Sequence, residues 1–251
     1  MTTLKKYGIK MGITMKDQNA IVEEAILNIK TRYNYTPADI KINFDNLIVE
    51  TEKEAHKLYK QYEKQYGKAL LVSYLKEKIG ASGNENNVSE VIGDCFNLLD
   101  EFYLSLAQSR KSRAGKSFET IHNSLFKILQ YPFTEQAVIN GKPDFLMPSV
   151  EYYKKNPMDC IIFTAKRTLR ERWRQIVTEG TRGLGFFLAT IDEKISDNQL
   201  EEMLKHRIYV VCPEDIKNRK YADKVNVMSF KKFFLDHLDP KLESWKRNNI
   251  I

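Results

Sequence analysis

The chain has 251 residues, 42% hydrophobic and 29% charged, which is enough to bury a sizeable core and excludes wholesale disorder. Lys and Arg outnumber Asp and Glu by 40 to 33, a basic balance that suits a polyanionic partner but is shared by many ordinary proteins. Three widely spaced cysteines (Cys95, Cys160, Cys212), with no CxxC pair and no HExxH run, argue against zinc chemistry and for reduced thiols. Residues 1–15 contain no apolar leader and no long apolar run follows, so a soluble, cytoplasmic protein is expected.

Residues 18–33 carry Ile21, Val22, Ala25, Ile26 and Ile29 at helical spacing. Residues 50–67, 68–79 and 88–108 read as further helices, with residues 80–87 (GASGNENN) as the clearest loop. A basic run begins near Ser109, where a soft boundary is drawn: 1–109 as a helical N-terminal region, 110–251 as the core. Residues 112–130 are helical, with Phe118, Ile121, Leu125 and Leu129 on one face. Short β-type runs follow at 136–139, 145–147, 160–165, 186–191 and 208–211, with helical segments at 169–180 and 197–206. Strands alternating with helices predict an α/β fold, a mixed sheet covered by helices and joined by right-handed crossovers.

Chemistry gathers where Pro143-Asp144 precedes one short strand and Lys166 ends the next. A carboxylate can hold a hard divalent cation that polarises phosphate, and an ammonium beside it can orient an attacking water. Alone, Pro-Asp is a common turn and a lysine at a strand end is usually solvated. The segment after Lys166 adds weight: it crowds charges around an apolar stripe of Leu169, Trp173, Ile176 and Val177. Gly115-Lys-Ser117 is not a phosphate-binding loop, because its first glycine would fall at Arg110 and no strand precedes it. The four histidines are scattered and form no ligand set.

Residues 110–179 resemble the PD-(D/E)XK restriction endonucleases that read CCGG or an interrupted CC–GG core, the group that includes the EcoRII catalytic domain. That pattern is a Pro-Asp (Pro143-Asp144), a strand ending in Lys (Lys166) and a Glu thirteen residues later (Glu179). The common nuclease motif has its second acid two residues before the lysine; here that position is Thr164, and the group's variant moves the acid to the following helix, where Glu179 stands. The resemblance implies Asp144, Lys166 and Glu179 as catalytic residues, and Asp144, Glu179 and Glu119 as ligands of Mg2+. It also implies base reading by Arg170-Glu171-Arg172, since Arg can bond guanine at O6 and N7 while a carboxylate accepts from the cytosine amino group. Arg110, Lys111, Arg113 and Lys116, read as a flexible basic run, are assigned to DNA phosphates. The implied protein is a type II restriction endonuclease leaving 5′-phosphate ends on double-stranded DNA. It would act as a homodimer or higher oligomer, alongside a cognate DNA methyltransferase. A repair or junction-resolving nuclease on the same fold and a catalytically inactive DNA-binding module are the rivals.

Overall fold

The computed structural model describes residues 2–80, 85–139, 142–169 and 186–251. Helices α1 (Thr3–Lys10), α2 (Gln18–Tyr33), α3 (Pro37–Ile42), α4 (Phe44–Gly80) and α5 (Glu85–Ile128) come first. Their ends follow from local chemistry. Asp17 accepts from the backbone N–H groups of Asn19 and Ala20 to start α2. Thr36 and Asp39 cap α3 reciprocally, with Pro37 in the first turn, where its missing N–H costs nothing.

Two pairs of helices expected as separate are continuous: residues 50–67 and 68–79 both lie in α4, and 88–108 and 112–130 both lie in α5, whose last turn ends at Ile128. The boundary near Ser109 therefore falls inside one helix, and α2 and α4 share a core with the sheet. The basic run at 110–116 is helix, not a flexible segment.

The sheet has six strands in sequential order: β1 (Thr134–Glu135), β2 (Phe145–Met147), β3 (Ile161–Ala165), β4 (Phe186–Ala189), β5 (Ile208–Cys212) and β6 (Val227–Ser229). β1, β2 and β3 pair antiparallel, while β3 to β6 run parallel, so the sheet is mixed as expected. The run expected at 136–139 is displaced to β1. Gln136 adopts φ 47°, a left-handed conformation that ends the strand. β6 has no counterpart among the expected runs; its three residues pair in parallel with β5.

Between and after these strands lie α6 (Val150–Lys155), α7 (Asp197–Lys205), α8 (Glu214–Lys220), α9 (Phe230–Phe233) and α10 (Asp239–Arg247), the last two joined by a π-helical stretch, Phe234–Leu238. Both faces of the sheet are buried. Phe145, Met147, Phe163, Phe187 and Val211 pack with α2, α4, α5 and the C-terminal helices. Leu146, Ile162, Leu188 and Val210 pack on the other side with Leu200, Met203 and Ile216. Because both faces meet an apolar layer, the central strands read in the sequence as short continuous apolar runs whose successive residues enter opposite layers. Asp45 of α4 ties the layers together, accepting from the backbone N–H groups of Glu214, Phe230 and Lys231 at 2.9, 2.9 and 3.0 Å. Among the described residues no helix is long and apolar enough to cross a membrane. The three cysteines are free and buried.

Candidate active site

Phe145 pairs with Phe163, so the next residues out, Asp144 and Thr164, face each other across the β2–β3 ladder. The Thr164 hydroxyl donates to Asp144 Oδ2 at 2.7 Å and the Ala165 N–H at 2.8 Å. Lys166, two residues beyond Thr164, brings its Nζ to 2.9 and 3.2 Å from the two carboxylate oxygens. Asp144 is buried and Lys166 half-buried. The geometry explains why the usual motif has an acid at position 164: a carboxylate there would sit against Asp144. Thr164 holds Asp144 in place instead.

Glu119 approaches from α5. Gln136 Nε2 donates to its Oε1 at 3.1 Å, so the left-handed turn after β1 helps to aim the glutamate. Burial, and then the negative charge of Asp144, push the Glu119 pKa up; the bond from Gln136 and the nearby Lys166 and Lys116 ammonium groups act against that. The negative charges of Glu119 and Asp144 thus repel each other, and a hard divalent cation would relieve that repulsion. Two carboxylates are the oxygen ligands that a hard divalent cation takes. Among the described residues no set of three acid, His or Cys side chains converges. Glu179, Arg170, Glu171 and Arg172 lie outside the described residues.

The segment leaving Lys166 is clamped. Lys166 N–H donates to Ala189 O at 2.9 Å, continuing the parallel ladder into β4. Thr190 Oγ1 donates to Arg167 O at 3.2 Å, and Leu169 N–H to Asp192 Oδ2 at 2.9 Å. Arg167 Nε reaches Glu52 of α4 at 2.7 Å. The position of the chain as it enters residue 170 is therefore set from two elements.

The four basic residues separate in role. Arg110 is committed to Glu63, with Nε at 2.9 and 3.1 Å and NH2 at 2.6 Å from its oxygens, so the sequence assignment of Arg110 to phosphate gives way to a structural ion pair. Lys111 and Lys116 are exposed. Arg113 lies over the Tyr59 ring at 5.3 Å, and its NH1 is buried with no hydrogen-bond partner among the described residues. It lines a cavity of about 200 Å3 together with Gln18, His56, Tyr59 and Arg167, beside the active strand. His122, one turn beyond Glu119, is fully buried among Phe44, Phe118, Phe126, Phe163 and Phe230, a packing residue and no ligand.

Sequence reasoning missed Gln136, Thr164 as a positioning donor, and the Glu52–Arg167 pair. A polar residue facing Asp144 in register could have revealed Thr164; the other two depend on distant chain segments and leave no local trace.

The profile of the EcoRII C-terminal family matches residues 80–234. The chain belongs to that family. The type II restriction enzyme SsoII of Shigella sonnei is 30% identical over 223 residues, covering 83% of this chain and 72% of SsoII. EcoRII of Escherichia coli is 35% identical over 151 residues, 56% of this chain and 37% of its own length. Among solved structures, metal-depleted Ecl18kI in complex with uncleaved DNA superposes with a TM-score of 0.77 at 26% identity, covering 99% of this chain and 85% of that one. PspGI bound to substrate DNA, at 24% identity, TM-score 0.64 and coverage of 91% and 94%, shares the fold. As a member of the EcoRII C-terminal family this chain is a type II restriction endonuclease, a DNA-cleaving phosphodiester hydrolase.

Proposed function

We propose that the enzyme uses Mg2+ to cut both strands of DNA at a short palindrome containing CC and GG, of the CCGG or CC-N-GG type, leaving 5′-phosphate and 3′-hydroxyl ends. The observation that carries the catalytic part is the buried Asp144 carboxylate, gripped by Thr164 and Ala165 and capped by Lys166 Nζ at 2.9 Å, with Glu119 alongside. Asp144 and Glu119 would hold the ion, with Glu179 as the third acid. When bound, Mg2+ supplies Lewis-acid polarisation of the scissile phosphate. Lys166, already fixed beside Asp144, orients the attacking water and offsets charge developing in the transition state. Thr164 and Gln136 keep the two carboxylates from turning away from the phosphate.

Base reading is assigned to Arg170, Glu171 and Arg172, which follow directly on the segment anchored by Thr190 and Asp192. Two arginines and one acid per subunit suffice for two G·C pairs, and a twofold homodimer would read CC on one side and GG on the other. Lys111, Arg113 and Lys116 are assigned to backbone phosphates; the unpartnered Arg113 NH1 supports an anionic occupant nearby. Residues 1–109 are assigned to dimer formation or to DNA flanking the site. A cognate methyltransferase is expected to protect host DNA. Ecl18kI and PspGI, the structural relatives, are DNA-bound in their solved forms, which supports the same partner here.

Plasmid digestion with Mg2+, followed by sequencing of the ends, tests the proposal. Ends confined to one palindrome with flanking CC and GG are expected. Random nicking, cutting restricted to branched DNA, or no cutting with any divalent ion would refute it.

A further inference from the structure

Past the end of the β3–β4 ladder, side chains take over from the backbone. Lys166 N–H still meets Ala189 O, but Arg167 O and Leu169 N–H find their partners in Thr190 Oγ1 and Asp192 Oδ2. Residues 167–169 therefore leave the sheet while staying fixed to the chain that continues β4. The Leu169 side chain is itself buried in the apolar layer of Leu188 and Leu200. The residue before Arg170 is thus held by its backbone and by its side chain.

Asp192 is the hub of this arrangement. Its Oδ1 accepts from Lys194 N–H at 3.0 Å, which closes the turn of its own loop. Its N–H donates to Thr190 Oγ1 at 3.1 Å, and its carbonyl accepts from Tyr221 OH at 2.8 Å. The Tyr221 oxygen in turn accepts from Ile195 N–H at 3.1 Å. One carboxylate oxygen and both backbone groups of Asp192 are enough to fold and brace the loop at 190–195. The second oxygen does something that loop does not need. It takes the backbone N–H of a residue 23 positions earlier, the one that precedes Arg170.

We infer that Asp192 is a positioning residue for base recognition, its Oδ2 fixing the point from which Arg170, Glu171 and Arg172 start. The inference rests on the proposed assignment of those three residues to bases. Three peptide links separate Leu169 from Arg172. Side chains that bond a base edge must be held to about 0.5 Å, so a shift at Leu169 is passed on to the contacts that follow it. Asp192 acts through Leu169 and not on a base.

The test is a ratio of dissociation constants, that for a shuffled duplex over that for duplexes carrying CCGG or CC-N-GG, measured in EDTA. Wild type, Asp192→Ala, Asp192→Ser and Tyr221→Phe are compared, each with its melting temperature. The ratio cancels differences in folded fraction and in net charge. Asp192→Ala should lower it about tenfold or more, the equivalent of one bidentate base contact. Asp192→Ser should also lower it, at close to the wild-type melting temperature, because a serine hydroxyl can still close the turn on Lys194 but leaves no second oxygen for Leu169. Tyr221→Phe loosens the loop and keeps both carboxylate oxygens, so it should lower the melting temperature and preserve the ratio. A wild-type ratio in Asp192→Ala or Asp192→Ser, or an equal fall in Tyr221→Phe, overturns the role of Asp192 and leaves it a brace of its own loop. Wild type that binds all the duplexes alike refutes the base-reading assignment itself, and Asp192 then has nothing to position.

Discussion

His122 gives a quantitative check on how α5 is packed against the sheet. The ring is 0% exposed, Nδ1 lies 2.7 Å from Phe118 O, and Nε2 has no partner among the described residues. Burial therefore lowers its pKa from 6.5 to about 4. The unfolded chain binds a proton near pH 6.5, while the native chain resists it down to about pH 4. The resulting stability is complete above the unfolded value and is lost as the pH falls toward the folded one. At about 1.4 kcal/mol per pH unit, the loss reaches roughly 2 kcal/mol by about pH 5 and about 3 kcal/mol in all. For a chain of this size 2 kcal/mol corresponds to a fall of about 4–8 °C in melting temperature. Replacing His122 with Leu removes the titrating group and the orphaned nitrogen while keeping an apolar side chain among the phenylalanines. Urea unfolding at about pH 7.5 and about pH 5 should show wild type losing about 2 kcal/mol more than His122→Leu between the two. Equal losses in the two proteins would refute the reasoning and mean that His122 is hydrated or partnered in solution.

Asp144→Ala and Lys166→Ala should each lower the cleavage rate by at least about 10²–10³-fold in saturating Mg2+, as loss of a transition-state charge contact does; near-wild-type cutting of a cognate duplex by either would sink the site. Glu119→Gln should raise the Mg2+ concentration for half-maximal cutting about tenfold or more, and an unchanged metal titration would remove Glu119 from the ligand set. Arg172→Ala should cost about 1–3 kcal/mol of discrimination per subunit, while Lys111→Ala should weaken all sequences alike and flatten the salt dependence by about one unit. Binding of target and scrambled duplexes at several salt concentrations separates the two, and equal weakening of both duplexes by Arg172→Ala would make the triplet a mere electrostatic face. Asp45→Ala should leave three backbone N–H groups unpaired and destabilise the fold by about 3 kcal/mol or more, measured by urea unfolding; a cost under about 1 kcal/mol would mean water replaces the carboxylate without difficulty.

What could be read from the sequence alone was whatever repeats over a few residues. Short apolar runs at 145–147, 161–165 and 186–189 marked the strands, and Pro143-Asp144 with Lys166 near the strand ends marked the candidate site through their resemblance to the nuclease motif. The caps at Thr36 and Ser196 are equally local. Helix length was less legible. A polar basic stretch at 110–116 looks like a break, yet α5 runs through it, held by Arg110 on Glu63 and by Phe118 and His122 in the core. Only the tertiary structure decided which charges do what. Arg110 and Lys111 are adjacent and chemically alike, but Glu63, 47 residues earlier, takes one of them and leaves the other to solvent. Glu119 of α5 feels the charge of Asp144 from another element, and Asp45 caps chain segments 169 and 185 residues away. Such pairings depend on how elements stack, and a contact between distant segments imposes no periodicity on either one.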